Sequence, residues 1–253
     1  MSSKIIAVTN QKGGVGKTTT AINVAAGLAS KNCNVLLIDL DPQGNATSGL
    51  GVPKLENQIT TYDILCKDAP IDQAIQQTHV AQLYVIAANN DLAAAELDLA
   101  QMPQREFRLQ QLLLNNTFDY IIIDCPPSLG MLTINALTAA SHVLIPVQAE
   151  YYALEGLSQL LSTVQAVRSS TNPSIDLLGI AVTMFDKRNS LSEQVQKELQ
   201  EYFGDKLFKT EVPRNVRLAE APSYGRTIYD HDRWSKGSRA YKGLVKEIIE
   251  RIG

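Results

Sequence analysis

The fold of this chain is decided by one short stretch, Ile5-Ile6-Ala7-Val8-Thr9-Asn10-Gln11-Lys12-Gly13-Gly14-Val15-Gly16-Lys17-Thr18-Thr19-Thr20. Its first four residues are apolar and predict a buried strand, and residues 21–29 predict a helix after it. A glycine-rich turn between a strand and a helix is the context that a phosphate-binding loop needs. The sequence therefore predicts such a loop at the start of the chain.

The residues of this turn suit a polyphosphate ligand. Its glycines let backbone N–H groups turn inward, and the start of the helix adds unpaired N–H groups at a positive dipole end. Lys17 would place its charge on the β- and γ-phosphates, and Thr18 would place its hydroxyl on Mg²⁺. The general pattern has a glycine five positions before Gly16, where this chain has Gln11.

Two further runs place carboxylates at the ends of predicted strands. The apolar residues 35–38 precede Asp39 and Asp41, and the residues 120–123 precede Asp124. Ligands of doubly wound sheets bind at the edge where the carboxyl ends of parallel strands meet. Carboxylates at that edge hold Mg²⁺, often through water, because Mg²⁺ gives up its hydration shell reluctantly. We therefore expect these three aspartates beside the phosphate-binding loop.

Strands and helices alternate along the rest of the chain. Further strands are predicted over residues 83–88, 143–147 and 177–183, with a short one within 206–212, and helices over 61–66, 92–101, 105–114, 132–140, 153–168, 192–203 and 238–252. This alternation predicts an α/β fold, a doubly wound and mainly parallel sheet flanked by helices. No repeat or linker interrupts the pattern, so a single domain is expected over residues 1–253.

Several of these motifs together resemble the ParA/MinD group of P-loop ATPases, and its ParA/Soj partitioning branch in particular. Lys12 with the residues up to Thr19 is similar to the deviant Walker A box of that group. The stretches that match the partitioning branch are Asp39–Gln43, Asp124–Ser128, Gln148–Gly156 and Val212–Ser223. The resemblance runs from about residue 5 to about residue 225, and residues 229–236 depart from the usual shorter form.

The resemblance implies an ATPase with slow intrinsic turnover and a role for each site residue. It implies that Asp41 positions the attacking water, with Lys12 and Lys17 as the other catalytic residues, and that Lys12 reaches the partner's nucleotide across an ATP-bound sandwich homodimer. Thr18 would bind Mg²⁺ directly, and Asp39 and Asp124 through water. The nucleotide-binding residues that it implies are Lys12, Gly13, Gly14, Val15, Gly16, Lys17, Thr18, Thr19, Pro213 and Arg214, the last two flanking the adenine.

The distribution of charged residues along the chain helps to indicate which molecules it binds. The net charge of −3 argues against nucleic acid, but residues 1–180 carry a net −6, whereas residues 206–246 hold 10 basic and 4 acidic residues, a net +6. Such asymmetry indicates either a face for an anionic partner or a set of solvated helix faces. The resemblance implies nonspecific double-stranded DNA, bound through Arg188 and Arg217, and a ParB-type partner protein that stimulates hydrolysis. A basic extension is expected at Lys236, Arg239, Lys242 and Lys246.

Composition restricts the remaining classes. The chain has 253 residues, of which 45% are hydrophobic and 19% are charged, as in ordinary globular domains. Its 3 cysteines form no disulfide or zinc pattern, which fits a reducing cytosol. No apolar run approaches the roughly 20 residues of a membrane helix, and residues 1–4 are too short for a signal peptide. We expect a cytoplasmic protein without a membrane partner. The resemblance implies that it associates with the nucleoid, and because the first predicted strand begins at Ile5, we do not expect the amino-terminal helix-turn-helix domain of the long form of that family.

Other functional classes stay open at this point. A MinD-like, membrane-associated ATPase that positions the division site would need a basic amphipathic tail, but Glu247 and Glu250 nearly balance the charge of residues 242–253. A helix packed on the core is expected there instead. An electron-transfer ATPase would need two cluster cysteines, and only Cys125 is near the nucleotide edge. A non-enzymatic nucleotide-binding scaffold would not need Asp41 or Lys12. Trp234 is expected to be packed rather than stacked on bases.

Overall fold

The structure, a computed structural model, describes residues 3–53, 55, 57–150 and 153–253, without the side chains of residues 153 and 155. These residues form one seven-stranded sheet in the order β3-β4-β2-β5-β1-β6-β7. The strands are β1 (Lys4–Val8), β2 (Val35–Asp39), β3 (Ile75–Gln77), β4 (Leu83–Ile86), β5 (Tyr120–Asp124), β6 (His142–Gln148) and β7 (Asp176–Thr183). All neighbours pair in parallel except β3 with β4, which confirms the predicted doubly wound, mainly parallel sheet.

Helices cover both faces of the sheet. They are α1 (Lys17–Ala29), α2 (Asn45–Gly49), α3 (Thr61–Cys66), α4 (Ile71–Ala74), α5 (Ala95–Ala100), α6 (Arg108–Leu112), α7 (Met131–Ala139), α8 (Ala153–Ser170), α9 (Ser190–Phe203), α10 (Val216–Glu220), α11 (Ile228–His231) and α12 (Lys236–Ile252). Short 3₁₀ helices lie at Asn90–Ala94, Arg105–Phe107, Gly204–Lys206 and Ala221–Tyr224.

The core has two layers, one on each face of the sheet. In β2, Leu36 and Ile38 pack with the layer under α7, α8 and α9, and the alternate residues Val35 and Leu37 pack with the layer under α1 and α12. Both faces are therefore apolar, which is why the strands read as continuous hydrophobic runs. The loops that follow β1, β2 and β5 lie at the edge of the sheet where the carboxyl ends of these strands meet.

Helix α12 packs on the core, as the sequence predicts. Tyr241, Leu244, Val245 and Ile248 are buried, and the Tyr241 hydroxyl lies 3.0 Å from Oγ1 of Thr20 in α1. The apolar face of the last helix is thus already occupied. Within the described ranges, no helix is long and apolar enough to cross a membrane.

Several predicted elements differ from the structure. Residues 206–212 form only one isolated bridge to β7, between Leu207 and Ile180, because the carboxylate of Glu247 accepts hydrogen bonds from the backbone N–H groups of Lys209 and Thr210 at 2.9 and 2.8 Å. The helices predicted over 92–101 and 105–114 are each split into a 3₁₀ turn and a shorter α-helix. Trp234 is not packed: its side chain is 76% exposed, with the Arg233 guanidinium 5.0 Å from the ring centroid.

Candidate active site

The phosphate-binding loop joins β1 to α1 at the middle of the sheet. Two of its glycines adopt left-handed backbone conformations, Gly14 at φ 76° and Gly16 at φ 85°, where a side chain would be strained. Gly16 directly precedes the first turn of α1, so the free N–H groups of that turn lie at the loop. The sequence placed the helix start at residue 21, and the structure places it at Lys17, inside the motif.

Hydrogen bonds from neighbouring strands fix the loop. The Thr183 hydroxyl, at the end of β7, donates to the carbonyl of Val15 at 2.8 Å. The Asn10 side chain donates to the carbonyl of Pro146 in β6 at 2.8 Å and accepts from the N–H of Lys12 at 3.0 Å. The loop is therefore held from β6 and β7.

The Lys17 side chain forms a hydrogen bond across the loop. Its Nζ donates to the carbonyl of Lys12 at 3.1 Å, and the residue is only 7% exposed. Burial lowers the pKa of the Lys17 ammonium, and the nearby carboxylates of Asp124 and Asp41 oppose that shift. The neighbouring carboxylates favour the charged form of this buried lysine, and a buried positive charge attracts a polyphosphate more strongly than an exposed one would.

Asp39 and Asp124 lie at the same level of adjacent strands; the sequence predicts that each ends a strand at this edge, but not that the two strands are neighbours. They are register partners between β2 and β5, and both are fully buried. The Asp39 carboxylate accepts from the N–H and the hydroxyl of Thr47 at 2.8 and 2.7 Å, and from the N–H of Asp41 at 3.1 Å. Burial raises the pKa of Asp39 to about 6, against these hydrogen bonds. Asp39 therefore fixes the loop that carries Asp41.

Asp124 differs from Asp39 in its hydrogen bonding. Neither of its carboxylate oxygens has a hydrogen-bond partner among the described residues, although both are buried. Burial and the charge of Asp39 raise the pKa of the Asp124 carboxyl well above its usual value, and the nearby Thr18 hydroxyl and Lys17 oppose this. A buried, unpartnered carboxylate beside a hydroxyl and a lysine suits a hydrated Mg²⁺ with its phosphate ligands.

This arrangement fits Mg²⁺ better than a metal held by protein ligands alone. Among the described residues, no group of three or more His, Cys, Asp or Glu side chains could hold a metal ion by itself. Mg²⁺ is usually bound through one or two carboxylates, waters and substrate phosphates. Thr18 and Asp124 are the residues placed to serve it here.

Asp41 stands in the loop after β2, where it lines the cleft. Its Oδ1 accepts from the N–H of Gln43 at 3.0 Å, and the residue is 9% exposed. A cavity of 380 Å³ brings Asp41 together with Gly13, Gly14, Gly16, Lys17, Thr18 and Thr19. Six of the predicted loop residues therefore line one space with Asp41, whereas Lys12 does not line it and Val15 is buried.

A second cavity of 390 Å³ continues the first. It is lined by Pro213 and Arg214, and it shares Gly16, Thr19 and Met184 with the phosphate end. The N–H of Arg214 donates to the carbonyl of Phe185 at 3.2 Å, so the chain after β7 positions this wall. The two cavities together form a cleft with a polar phosphate end and a less polar end of a size suited to a base.

Sequence reasoning missed several residues of this cleft. Thr183 ends β7 and Met184 follows it at the same edge of the sheet, and Met184 has a left-handed backbone at φ 51°. The rule that ligands bind at the carboxyl ends of the strands could have found both. Gln43 and Pro127, which also line the phosphate end, carry no signal beyond their place in the two acidic motifs, and Asn45 lies just after the first of them.

Lys12 lies at the rim, paired within its own chain. Its Nζ is 2.7 Å from Oε2 of Glu150, and both side chains are substantially exposed. Next to it, the Gln11 side chain donates to the carbonyl of Gly156 in α8 at 2.9 Å. Gln11, the departure from the general pattern, thus ties the loop to α8. Tyr151 and Tyr152 of the matching motif lie outside the described residues.

The predicted DNA-binding residues lie near the base end of the cleft. Arg188 lines a groove of 800 Å³ with Lys187, Arg214 and Lys236, and Arg217 follows Val216 of the same groove. The expected basic extension along α12 is not continuous. Lys242 and Lys246 line a different groove, of 830 Å³, with Lys31 of the loop after α1.

The sequence of this chain is similar to those of known proteins over most of its length. A family model described as an AAA domain matches residues 3–177. The chain is 54% identical to the sporulation initiation inhibitor protein Soj of Bacillus subtilis, over 97% of this chain and 98% of that protein. It is 48% identical to the chromosome partitioning protein ParA of Caulobacter vibrioides, over 98% and 94%.

A solved structure of the same fold is also similar to this chain. Cobyrinic acid a,c-diamide synthase of Mycobacterium smegmatis, with bound ATP analog and magnesium, is 36% identical with a TM-score of 0.84, and the match covers 97% of this chain and 93% of that one. Fold, cleft and near full-length identity agree, and the chain belongs to the ParA/Soj family of chromosome-partitioning ATPases.

Proposed function

We propose that this chain binds ATP with Mg²⁺ in the cleft, hydrolyses it slowly, and couples that cycle to DNA binding by a homodimer. The observation that carries the proposal is the convergence of Lys17, Thr18, Asp41 and Asp124 at one edge of the sheet. The triphosphate would lie on the loop and the base between Pro213, Arg214 and Met184. The M. smegmatis relative was solved with an ATP analog and magnesium, which supports the same ligands here.

Hydrolysis would follow from positioning the triphosphate and the attacking water, and from neutralising the charge of the phosphates. Lys17 and the N–H groups of the loop would hold the β- and γ-phosphates, and Asp41 would orient a water towards the γ-phosphate. Mg²⁺, held by Thr18 and by Asp124 through water, supplies charge neutralisation when bound. Asp39 would keep Asp41 in place through the hydrogen bond to its N–H. Its role is therefore to position the loop as well as to support the ion.

The partners follow from the surfaces around the cleft. Lys12 is exposed at the rim, where it would reach the nucleotide of a second copy in a sandwich homodimer. Arg188 and Arg217 would then lie twice on one dimer and bind DNA phosphates without reading bases. Such a dimer would associate with the nucleoid until a ParB-type partner stimulates hydrolysis and releases it.

A MinD-like role at a membrane is less well supported. The apolar face of α12 is buried against α1 and the sheet, so it offers no amphipathic surface to a bilayer. The basic groove next to the nucleotide cleft instead favours an anionic polymer as the partner.

The test is DNA binding as a function of nucleotide and salt. Fluorescence anisotropy with two unrelated duplexes should show binding with ATP and Mg²⁺, equal affinity for both sequences, and a steep loss with salt. Arg217→Glu should weaken binding to both duplexes equally and flatten the salt dependence, while ATP-driven dimerisation is retained. Lys31→Glu, the same charge change at the other groove, is the matched control. Unchanged binding by Arg188→Glu/Arg217→Glu would refute this DNA surface.

A further inference from the structure

The two arginines proposed to bind DNA are already paired with carboxylates of their own chain. The Arg188 side chain is 90% exposed, yet its Nε and Nη2 donate to Oδ1 and Oδ2 of Asp186 at 3.0 and 2.9 Å. The N–H of Arg188 donates to the same Oδ1 at 3.0 Å, so the pair belongs to the turn between β7 and α9.

Arg217 is held in a similar way from two sides. Its Nη1 lies 2.9 Å from Oε2 of Glu220, and its Nε lies 3.7 Å from Oδ2 of Asp232. Glu220 is on the same helix, α10, and Asp232 directly follows α11. Two separate elements therefore contribute counter-charges to one guanidinium.

The two lysines that line the groove with Arg188 differ from Arg188 and Arg217 in their ion pairing. Within the ranges that the structure describes, no ion pair reaches Lys187 or Lys236, although both are exposed and line the groove with Arg188. Among the described residues, the groove thus holds the paired Arg188 beside three cations without an ion pair, Lys187, Arg214 and Lys236. Their responses to a polyanion should differ, because an unpaired cation would only gain a contact whereas Arg188 would have to exchange one.

The geometry points to Asp186, Glu220 and Asp232 as intrachain competitors of the DNA phosphates. We infer this on the basis of the proposed DNA-binding function. A carboxylate that grips both Nε and Nη2 occupies the donor edge that binds a phosphate bidentately. A phosphate must displace Asp186 from Arg188, so the arginine contact replaces an ion pair and adds less net affinity than an unpaired arginine would. These acids are therefore affinity-determining residues that keep DNA binding weak in a single chain.

A double-mutant cycle tests the inference on the full chain. Asp186→Asn keeps an oxygen for the N–H of Arg188 and removes only the charge of the competitor. With ATPγS and Mg²⁺, it should raise affinity for a duplex of scrambled sequence about two- to fivefold, the range expected for releasing one exposed ion pair. The gain should be absent in Arg188→Ala. Glu220→Gln should behave in the same way relative to Arg217→Ala.

Controls separate this effect from net charge and from folding. Glu201→Gln, which removes an exposed charge near the end of α9, should change affinity less than Asp186→Asn. Unaltered thermal unfolding and binding of a fluorescent ATP analogue would show that each variant is intact. The inference is wrong if Asp186→Asn binds no tighter than wild type, or if its gain persists in Arg188→Ala. If Arg188→Ala and Arg217→Ala bind like wild type, the proposed DNA surface fails and the inference fails with it.

Discussion

Asp41 is the residue on which the proposed hydrolysis depends most directly. It lines the phosphate end of the cleft, while the phosphates themselves would be held by the loop and Lys17. Asp41→Ala should therefore keep ATP affinity within about threefold but lower turnover at least about a hundredfold, as expected for losing a residue that acts in proton transfer or water positioning. Phosphate release and binding of a fluorescent ATP analogue measure the two effects. Asp41→Asn is the isosteric control, and wild-type turnover in Asp41→Ala would refute the role.

Individual site residues could be predicted where a motif fixes their backbone. The phosphate loop and Asp39, Asp41 and Asp124 follow strands, and parallel pairing brings strand ends to one edge. The ion pairs of Lys12 and Arg217 could not be predicted in this way. Lys12 meets Glu150, which is 138 positions away, because β1 and β6 are neighbours in the sheet. Which acid meets which cation depends on strand order and loop path, and local sequence does not encode either.

At the scale of elements, α1 and α12 are joined by a close contact at Gly27. A Cβ there would lie 2.6 Å from Cγ2 of Val245 and 2.8 Å from the hydroxyl of Tyr229. That hydroxyl donates to the carbonyl of Asn23 at 3.0 Å, so it is not free to move. Gly27→Ala should lower the free energy of unfolding by about 1–3 kcal/mol through overpacking. Urea denaturation measures this.

The matched control is Gly156→Ala in α8, where the added Cβ would meet only Nε2 of Gln11 at 3.7 Å. Because alanine is the better helix former, this change should raise stability by up to about 1 kcal/mol. Equal effects of the two substitutions would contradict the close packing of α1 on α12.

The elements that the sequence predicts correctly are those with an uninterrupted hydrophobic pattern. The strands β2 and β5 and the helix α3 match the predicted bounds, because apolar runs and caps define both ends. The short pieces differ. The antiparallel edge strand β3 is three residues long and half-exposed, too short to show a period. Residues 206–212 read as a strand, but Glu247 of α12 takes the N–H groups that a strand would use.

For the whole molecule, the main question is how one chain with a net charge of −3 would bind DNA. The nucleotide cleft and the basic groove share Pro213, Arg214, Asn215 and Val216, so a bound base would lie directly behind the proposed DNA surface. A homodimer would double the few available cations, and the affinity of a polyanion rises steeply with each added phosphate contact. Dimerisation is thus the step at which nucleotide state would control DNA binding.

Lys12 provides the test of that step. Its side chain is exposed at the rim, whereas the buried Lys17 is the lysine proposed to hold the phosphates within the chain, so Lys12→Ala should spare nucleotide binding and abolish ATP-driven dimerisation. Light scattering with ATPγS and Mg²⁺ should show a dimer for wild type and for the control Lys31→Ala, and a monomer for Lys12→Ala. Gly14→Val would be a poorer probe, because at φ 76° a β-branched residue strains the loop itself. A wild-type chain that stays monomeric in every nucleotide state would rule out the sandwich dimer, and a dimeric Lys12→Ala would show that another surface forms it.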